Sequence, residues 1–297
     1  MSVIILPVMD RGEEIKILPE WEEIALKITG KGERVMVVGG VDTGKTTLAR
    51  YLLKTALNNH KEVTFLNADV GQASIGTPGT LSMKFFRTYP EKWENILPDY
   101  QWFVGTVSPS GSLAEMITGI GYLTKVMEER GVEFAILDTS GLIRGEEGKK
   151  LKLWKSLIFS PTRVLLLERD AEGEEIYRLL RETGFSVERI RVGESVGKKG
   201  REERINFRRK RFSHYFAGGK VIEMAKEKTV ILSSLSPPHQ GQLVGLIGER
   251  GFLLGLGLWM GEKEEKVYIY TPLKNIQDLK IITFGKIVLD LSTGEGT

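Results

Sequence analysis

The stretch Gly39-Gly40-Val41-Asp42-Thr43-Gly44-Lys45-Thr46-Thr47 decides the fold. It fits the phosphate-binding pattern Gly-x-x-x-x-Gly-Lys-Ser/Thr. Before it, residues 34–38 (Arg-Val-Met-Val-Val) read as a short β-branched strand. After it, residues 46–57 carry Leu48, Tyr51, Leu52, Thr55 and Ala56 at helical spacing. Strand, glycine loop and helix in this order turn a text match into a mechanism. Gly39, Gly40 and Gly44 let the backbone curl with its N–H groups turned inward, and the helix adds the positive end of its dipole. Residues 39–47, with Val41, Asp42, Thr43 and Thr47 among them, are therefore expected to cradle an anion. Lys45 is expected to reach the β- and γ-phosphates of a nucleotide, and the Thr46 hydroxyl to hold Mg²⁺.

The chain has 297 residues, 41% of them hydrophobic and 27% charged, which allows a substantial core. A net charge of +3 singles out no class of partner. The absence of cysteine excludes a disulfide framework and a cysteine-ligated zinc site, and agrees with a cytoplasmic protein. Residues 1–8 are apolar but too short for a signal-peptide core, and the longest apolar run, residues 251–260, is broken by glycine and too short to span a bilayer. No membrane association is expected. His60, His214 and His239 are scattered and suggest no metal site, and Gly255-Leu256-Gly257 lacks the third glycine of a dinucleotide fingerprint.

From residue 34 the pattern alternates between strand and helix. Apolar strands read at 63–66, 102–104, 134–137 and 164–167, and helices at 113–130 and 174–183. Continuous apolar strands between amphipathic helices predict an α/β fold: a P-loop NTPase parallel sheet with helices on both faces and ligands at the carboxyl ends of its strands. Residues 1–30 read as a short N-terminal appendage holding a helix at 19–28, with Trp21, Ile24, Leu26 and Ile28 placed to pack on the main domain. From residue 218 onward the texture changes to short strands at 221–222, 230–232, 243–247, 252–259, 267–270, 281–284 and 287–291, with Gly248-Glu249-Arg250-Gly251 as a hairpin turn. This is a small C-terminal β domain. The expected division is 1–30, 31–217 and 218–297.

The motifs fall just after the strands. Asp69 and Gln72 follow the second. A strand-end carboxylate there binds Mg²⁺ through water or takes a proton from an attacking hydroxyl; its plainer reading is a turn cap. Gln72 suits the orientation of a phosphate, a water or a sugar hydroxyl. After the third strand, residues 105–111 with Ser108 offer hydroxyl and N–H donors, although Ser110 or Ser112 as a helix cap explains much of that segment. After the fourth comes Asp138-Thr139-Ser140-Gly141. Its carboxylate is placed to support Mg²⁺, and Thr139 and Ser140 to touch phosphate or substrate; the plainer reading is again a cap or a surface turn.

Residues 198–216 are the most charged segment. Arg201, Arg204, Arg208 and Arg211 stand at i, i+3, i+7 and i+10, so one helix face carries four guanidiniums. Guanidinium forks match phosphate oxygens and stabilise charge on a transferred phosphoryl group. The same strip fits a nucleic-acid backbone. After a complete nucleotide site, this segment is expected to be a lid.

Together these motifs resemble the polynucleotide 5′-hydroxyl kinase family, which includes the RNA kinases of messenger-RNA 3′-end and ribosomal-RNA processing and shorter archaeal members. Asp42 matches the Asp inside that family's phosphate loop. Asp69-Val70-Gly71-Gln72 with Pro78-Gly79-Thr80 matches its Asp-x-Gly-Gln element, and Phe103-Val104-Gly105-Thr106 with Ser108-Pro109 and Gly111 its third element. Thr139-x-Gly141 matches its substrate clasp, residues 201–216 its arginine lid, and Leu243-Val244-Gly245-Leu246 through Gly257 its C-terminal β domain. Asn67 stands where many members carry another acid, and Leu142 where many carry Trp. The resemblance implies ATP as phosphate donor, Mg²⁺, and a single-stranded or end-exposed RNA or DNA bearing a 5′-hydroxyl. It implies Asp69 as general base or metal partner, Gln72 as a positioning group, Lys45 and Thr46 as holders of ATP and Mg²⁺, and the lid residues Arg204 and Arg208 as stabilisers of the transferring group.

Two other readings compete. A nucleotide-dependent switch, a GTPase or ATPase of the SIMIBI type, needs a guanine-reading Asn-Lys-x-Asp after the fifth strand, where this chain has Leu167-Glu168-Arg169-Asp170. A nucleic-acid-binding scaffold that keeps a nucleotide only for stability does not need Lys45, Thr46 and Asp69 together.

Overall fold

A computed structural model of the chain describes residues 5–6, 15–16, 19–28, 30, 32–193, 197, 200–232 and 237–290. Strands β1 (Ile5–Leu6) and β2 (Ile15–Lys16) pair with each other and precede helix α1 (Pro19–Lys27). Then follow β3 (Glu33–Gly39), α2 (Lys45–Ala56), β4 (Val63–Ala68), β5 (Thr80–Phe86), β6 (Tyr100–Phe103), α3 (Leu113–Glu129), β7 (Phe134–Thr139), α4 (Gly145–Phe159), β8 (Arg163–Glu168), α5 (Glu174–Glu182), β9 (Val187–Arg191) and α6 (Arg201–Phe216). The C-terminal strands are β10 (Lys220–Ala225), β11 (Val230–Leu232), β12 (Gln242–Ile247), β13 (Leu253–Lys263), β14 (Lys266–Thr271) and β15 (Ile281–Val288).

The main sheet has the order β6-β5-β4-β7-β3-β8-β9 and is parallel except for β5, which runs against both its neighbours. Its central strands are buried on both faces, which is why they read as continuous apolar runs. Alternate residues point to opposite sides. Val35, Val37, Phe65 and Ile136 pack against Leu48 and Leu52 of α2 and Trp21 and Ile24 of α1. Met36, Val38, Leu66 and Leu137 pack against Met116 and Ile120 of α3, Leu151 and Phe159 of α4, and Ile176 of α5. The N-terminal helix thus shares the core of the main sheet, with the exception of Leu26, which is 74% exposed on its outer face. No helix among the described residues is long and apolar enough to cross a membrane.

Three elements of this layer are absent from the sequence reading: β5, α4 and β9. In the C-terminal sheet, order β10-β14-β13-β12-β15-β11, the two strands expected at 281–284 and 287–291 are the single strand β15, whose pairing with β12 shifts register between Phe284 and Val288; Leu291 lies outside the described residues. Residues 248–251 do form the connection of the β12–β13 hairpin.

The two sheets meet on glycines. A Cβ on Gly285 would lie 2.6 Å from the Gly105 carbonyl oxygen and 2.8 Å from its Cα, and the Lys286 N–H donates to that same carbonyl at 2.7 Å. Only backbone meets backbone here, so nothing can swing aside. Gly285→Ala is expected to destabilise the chain by about 1–3 kcal/mol, read as a lower midpoint in urea. An unchanged midpoint would mean that this contact does not hold the sheets together. The second bridge is α6. Phe212 and Phe216 are buried with Leu243, Leu256, Leu258 and Ile287 of the C-terminal sheet, and the Tyr215 hydroxyl accepts the Leu256 N–H at 2.7 Å.

Candidate active site

Strands β4, β7 and β3 are neighbours, with Asn67 opposite Asp138 and Asp138 opposite Val37. Asp69, Asp138 and the loop that starts at Gly39 therefore leave the same edge of the sheet side by side. The turn after β7 touches that loop through a glycine: a Cβ on Gly141 would sit 2.9 Å from the Val41 nitrogen and Cα. Gly44 is left-handed at φ 84, which brings α2 in at the angle the loop needs. Thr43 is buried and its hydroxyl donates to the Gly40 carbonyl at 3.0 Å, so its side chain shapes the loop and its backbone alone is left to face a ligand.

Lys45 is buried, and its Nζ donates to the Gly40 carbonyl. Burial pulls its pKa down, while Asp138, Asp69, Asp42 and Glu172 hold it up in that order. Thr46 Oγ1 donates to Asp138 Oδ2 at 2.7 Å. The other oxygen, Asp138 Oδ1, is buried and accepts no hydrogen bond among the described residues. Burial pushes this carboxyl up to about 6, against the pull of Thr46 and Lys45. A buried carboxylate oxygen without a donor, beside a threonine hydroxyl at a phosphate loop, suits a small hard cation. Among the described residues no group of three or more His, Asp or Glu gathers into a protein cage. That fits Mg²⁺, which takes one or two carboxylates and completes its shell with phosphate oxygens and water.

Asp69 carries out the turn-capping role and leaves a second oxygen over. Oδ1 accepts the N–H groups of Gly71 and Gln72, both at 2.9 Å, and Oδ2 accepts none among the described residues. Asn67 locks this turn from beneath. Its Oδ1 accepts the Ser74 N–H at 3.2 Å and the Ser74 hydroxyl at 3.0 Å, and its Nδ2 donates to the Asp69 carbonyl at 3.2 Å. A carboxylate at position 67 has no proton for that last bond. Gln72 Nε2 is buried without a partner among the described residues, as is Ser140 Oγ. Ser108 is exposed on the loop after β6, with its N–H on the Thr106 hydroxyl at 3.2 Å. That loop rests on the Asp69 turn, since a Cβ on Gly71 would lie 2.6 Å from the Val107 carbonyl. Ser112 occupies the N-cap of α3 but makes no capping bond with its side chain.

Thr139, expected to touch phosphate or substrate, turns its side chain inward. It is fully buried; its hydroxyl donates to the Val37 carbonyl at 2.8 Å and accepts from Lys152 Nζ at 3.0 Å. The proton and one lone pair of its hydroxyl are thus engaged inside the protein, on β3 and α4. The four lid arginines also separate. Arg201 is exposed, and Arg211 donates to the carbonyls of Glu94, at 3.0 Å, and Gly76. Arg204 Nη2 pairs with Asp42 Oδ2 at 3.3 Å, which lays α6 across the phosphate loop. Arg208 is half-buried and makes no hydrogen bond among the described residues. Burial lowers its pKa, Arg204 adds repulsion, and Asp69 draws it back. Lys198 and Lys199 of the expected lid lie outside the described residues. The sequence reading missed Arg169, whose Nη2 donates to the Asp42 carbonyl at 2.6 Å, and the buried Lys152 and Lys155.

A parallel sheet with a glycine loop and a Thr46–Asp138 bond defines a P-loop nucleotide-binding protein. Residues 39–218 match the family described as mRNA cleavage and polyadenylation factor CLP1 P-loop, and the chain belongs to that family. It is 33% identical over 232 residues to a polyribonucleotide 5′-hydroxyl-kinase of Pyrococcus horikoshii, an alignment that covers 77% of this chain and 62% of that relative. It is 29% identical over 325 residues to the polyribonucleotide 5′-hydroxyl-kinase of Methanocaldococcus jannaschii, covering 89% of each. Among solved structures it is similar to the wild-type Clp1p–Pcf11p complex, with a TM-score of 0.72 at 16% identity over 91% of this chain and 79% of the other; this likeness concerns the fold.

Proposed function

We propose that this chain is an ATP-dependent polynucleotide 5′-hydroxyl kinase, which moves the γ-phosphate of a nucleoside triphosphate to the 5′-hydroxyl of a single-stranded or end-exposed RNA or DNA. The observation that carries this reading is Asp69. A nucleotide switch needs the phosphate loop with Thr46 and Asp138, whereas transfer to an alcohol also needs a proton acceptor. Asp69 leaves the strand next to Asp138 with one carboxylate oxygen that accepts no hydrogen bond among the described residues, and it lies in the field of Arg208. The Methanocaldococcus relative named for this activity supports the reading over most of the chain. Against a guanine-specific switch, the segment Leu167-Glu168-Arg169-Asp170 lacks the Asn and the Lys of the guanine-reading motif.

In the proposed reaction the 5′ oxygen bonds to the γ-phosphorus as the bond from that phosphorus to the β–γ bridging oxygen breaks, and the hydroxyl proton passes to Asp69. The backbone N–H groups of residues 39–47 and Lys45 hold the phosphates. Thr46 and Asp138, with Asp69 alongside, would hold Mg²⁺, which when bound neutralises charge on the phosphate oxygens. Arg204 and Arg208 place guanidinium charge against the transferring group. Gln72, Ser108 and Ser140 orient the acceptor end.

The test is labelled γ-phosphate from ATP offered to 5′-hydroxyl RNA, 5′-hydroxyl DNA or water alone. Label on the polynucleotide supports the reading; label released only to water overturns it. Asp69→Asn is expected to keep ATP binding and lower transfer by about a hundredfold or more. Full activity in that variant would return Asp69 to turn capping and move proton acceptance to Asp138 or Asp42.

A further inference from the structure

Helix α4 buries two lysines that no step above uses. Lys152 and Lys155 are both 0% exposed and stand three residues apart, on one face of the helix. Burying an ammonium group is costly unless polar partners receive it. Neither lysine has a carboxylate within ion-pair distance among the described residues; their partners are oxygens at the ends of adjacent strands. Lys155 Nζ donates at 3.1 Å to the Ala68 carbonyl, in the peptide unit that leads into Asp69. Lys152 Nζ donates to the Thr139 hydroxyl at 3.0 Å and the Ser140 carbonyl at 2.6 Å, directly after Asp138. Thr139 in turn donates to Val37 on β3, the strand that feeds the phosphate loop. One helix face therefore ties together the ends of β4, β7 and β3. Burial lowers the pKa of both amines, that of Lys155 to about 8, with Asp69 and Asp138 opposing the fall. Apolar side chains would fill the same space at lower cost but would remove the amine donors to these oxygens.

We propose that Lys152 and Lys155 are positioning residues: their amines clamp the backbone that carries Asp69 and Asp138 and so fix the two carboxylates relative to each other and to the phosphate loop. The proposal rests on the kinase reading for its catalytic readout, and on metal binding for a second one. Groups that orient the ligands of a metal site alter affinity or activity by ~10- to 100-fold when removed.

The chain has no cysteine, so Lys155→Cys introduces a single thiol. Alkylation of the unfolded variant with 2-bromoethylamine, followed by refolding, restores an amine at the length of lysine. Alkylation with 1-bromopropane gives the same length without the amine. Wild type taken through the same cycle is the control. The propyl form is expected to refold with a urea midpoint at least as high as that of the aminoethyl form and to bind ATP normally. Its kcat on 5′-hydroxyl RNA should fall ~10- to 100-fold, and its Mn²⁺ affinity in the nucleotide complex, read by electron paramagnetic resonance, should fall with it. The aminoethyl form should recover both. A propyl form that loses stability but keeps wild-type kcat and Mn²⁺ affinity per folded molecule overturns the clamp. Should the propyl form not refold, Lys155→Met made in cells carries the same comparison. If wild type itself transfers no phosphate, the kinase reading fails, and the Mn²⁺ comparison still decides on the clamp.

Discussion

Lys45→Ala is expected to abolish phosphoryl transfer while leaving the fold intact. The lysine sits at the start of α2, buried, in the field of Asp138, Asp69, Asp42 and Glu172. Truncating it removes the charge that would meet the β- and γ-phosphates, and leaves carboxylates that repel them. Losing one contact of this kind costs about 3 kcal/mol or more at the transition state, beyond about a hundredfold in rate. The fold should survive, because among the described residues the Lys45 amine bonds only to a carbonyl of its own loop, and the core beneath is built from Leu48, Leu52 and the strands. Two measurements check this: the single-turnover rate with labelled ATP, and the urea midpoint. A wild-type rate in Lys45→Ala would sink the nucleotide reading as a whole.

Arg208→Ala should lower kcat by about a thousandfold and weaken ATP binding far less, since an arginine acting on the transferring group is worth on that order. The structure singles out this residue from the four. Arg211 holds backbone carbonyls, Arg201 is exposed, and Arg204 is paired with Asp42. Arg208 is half-buried beside Arg204 and Asp69 with no hydrogen bond of its own among the described residues. Arg204→Ala should also slow transfer, but it additionally removes an ion pair from Asp42 in the phosphate loop, so nucleotide affinity should change as well. Arg208→Lys should restore only part of the loss, because an ammonium lacks the planar fork. The rival account is that this face grips the nucleic-acid backbone. It expects a higher KM for the polynucleotide, an unchanged kcat, and recovery at low salt. Determining kcat and KM at two salt concentrations separates the two, and a purely salt-reversible KM effect retires the catalytic assignment.

What could be read from the sequence depended on whether the signal was contiguous. The phosphate loop is nine consecutive residues between a strand and a helix, so its chemistry and local geometry are read together. Asp69 and Asp138 could be placed because a parallel sheet aligns the carboxyl ends of its strands. Helix α4 escaped notice because its buried face is Leu151, Lys152, Lys155, Ser156 and Phe159; two lysines and a serine on the inner face erase the apolar period that marks a helix. The Asp42–Arg204 pair joins residues 162 apart and leaves no local trace. The orientation of Thr139 is hidden for a different reason. In a strand buried on both faces, composition does not say which side chains open onto the site, and Thr139 turns inward to Val37 and Lys152. The reversal at β5 was missed because Ser82 and Lys84 interrupt its apolar pattern.

Among the described residues, helix α6 is moored in apolar packing at its C-terminal end, by Phe212 and Phe216. That makes it a lever. Arg204 lies eight residues from Phe212, about 12 Å along the axis. A tilt of about 10° about that mooring carries Arg204 through about 2 Å and scarcely moves Arg211. The far guanidinium can thus leave Asp42 while the near one keeps its carbonyls. Phe103 of β6 belongs to the same apolar cluster, so the fulcrum of a helix lying over the phosphate loop sits at the seam between the two sheets.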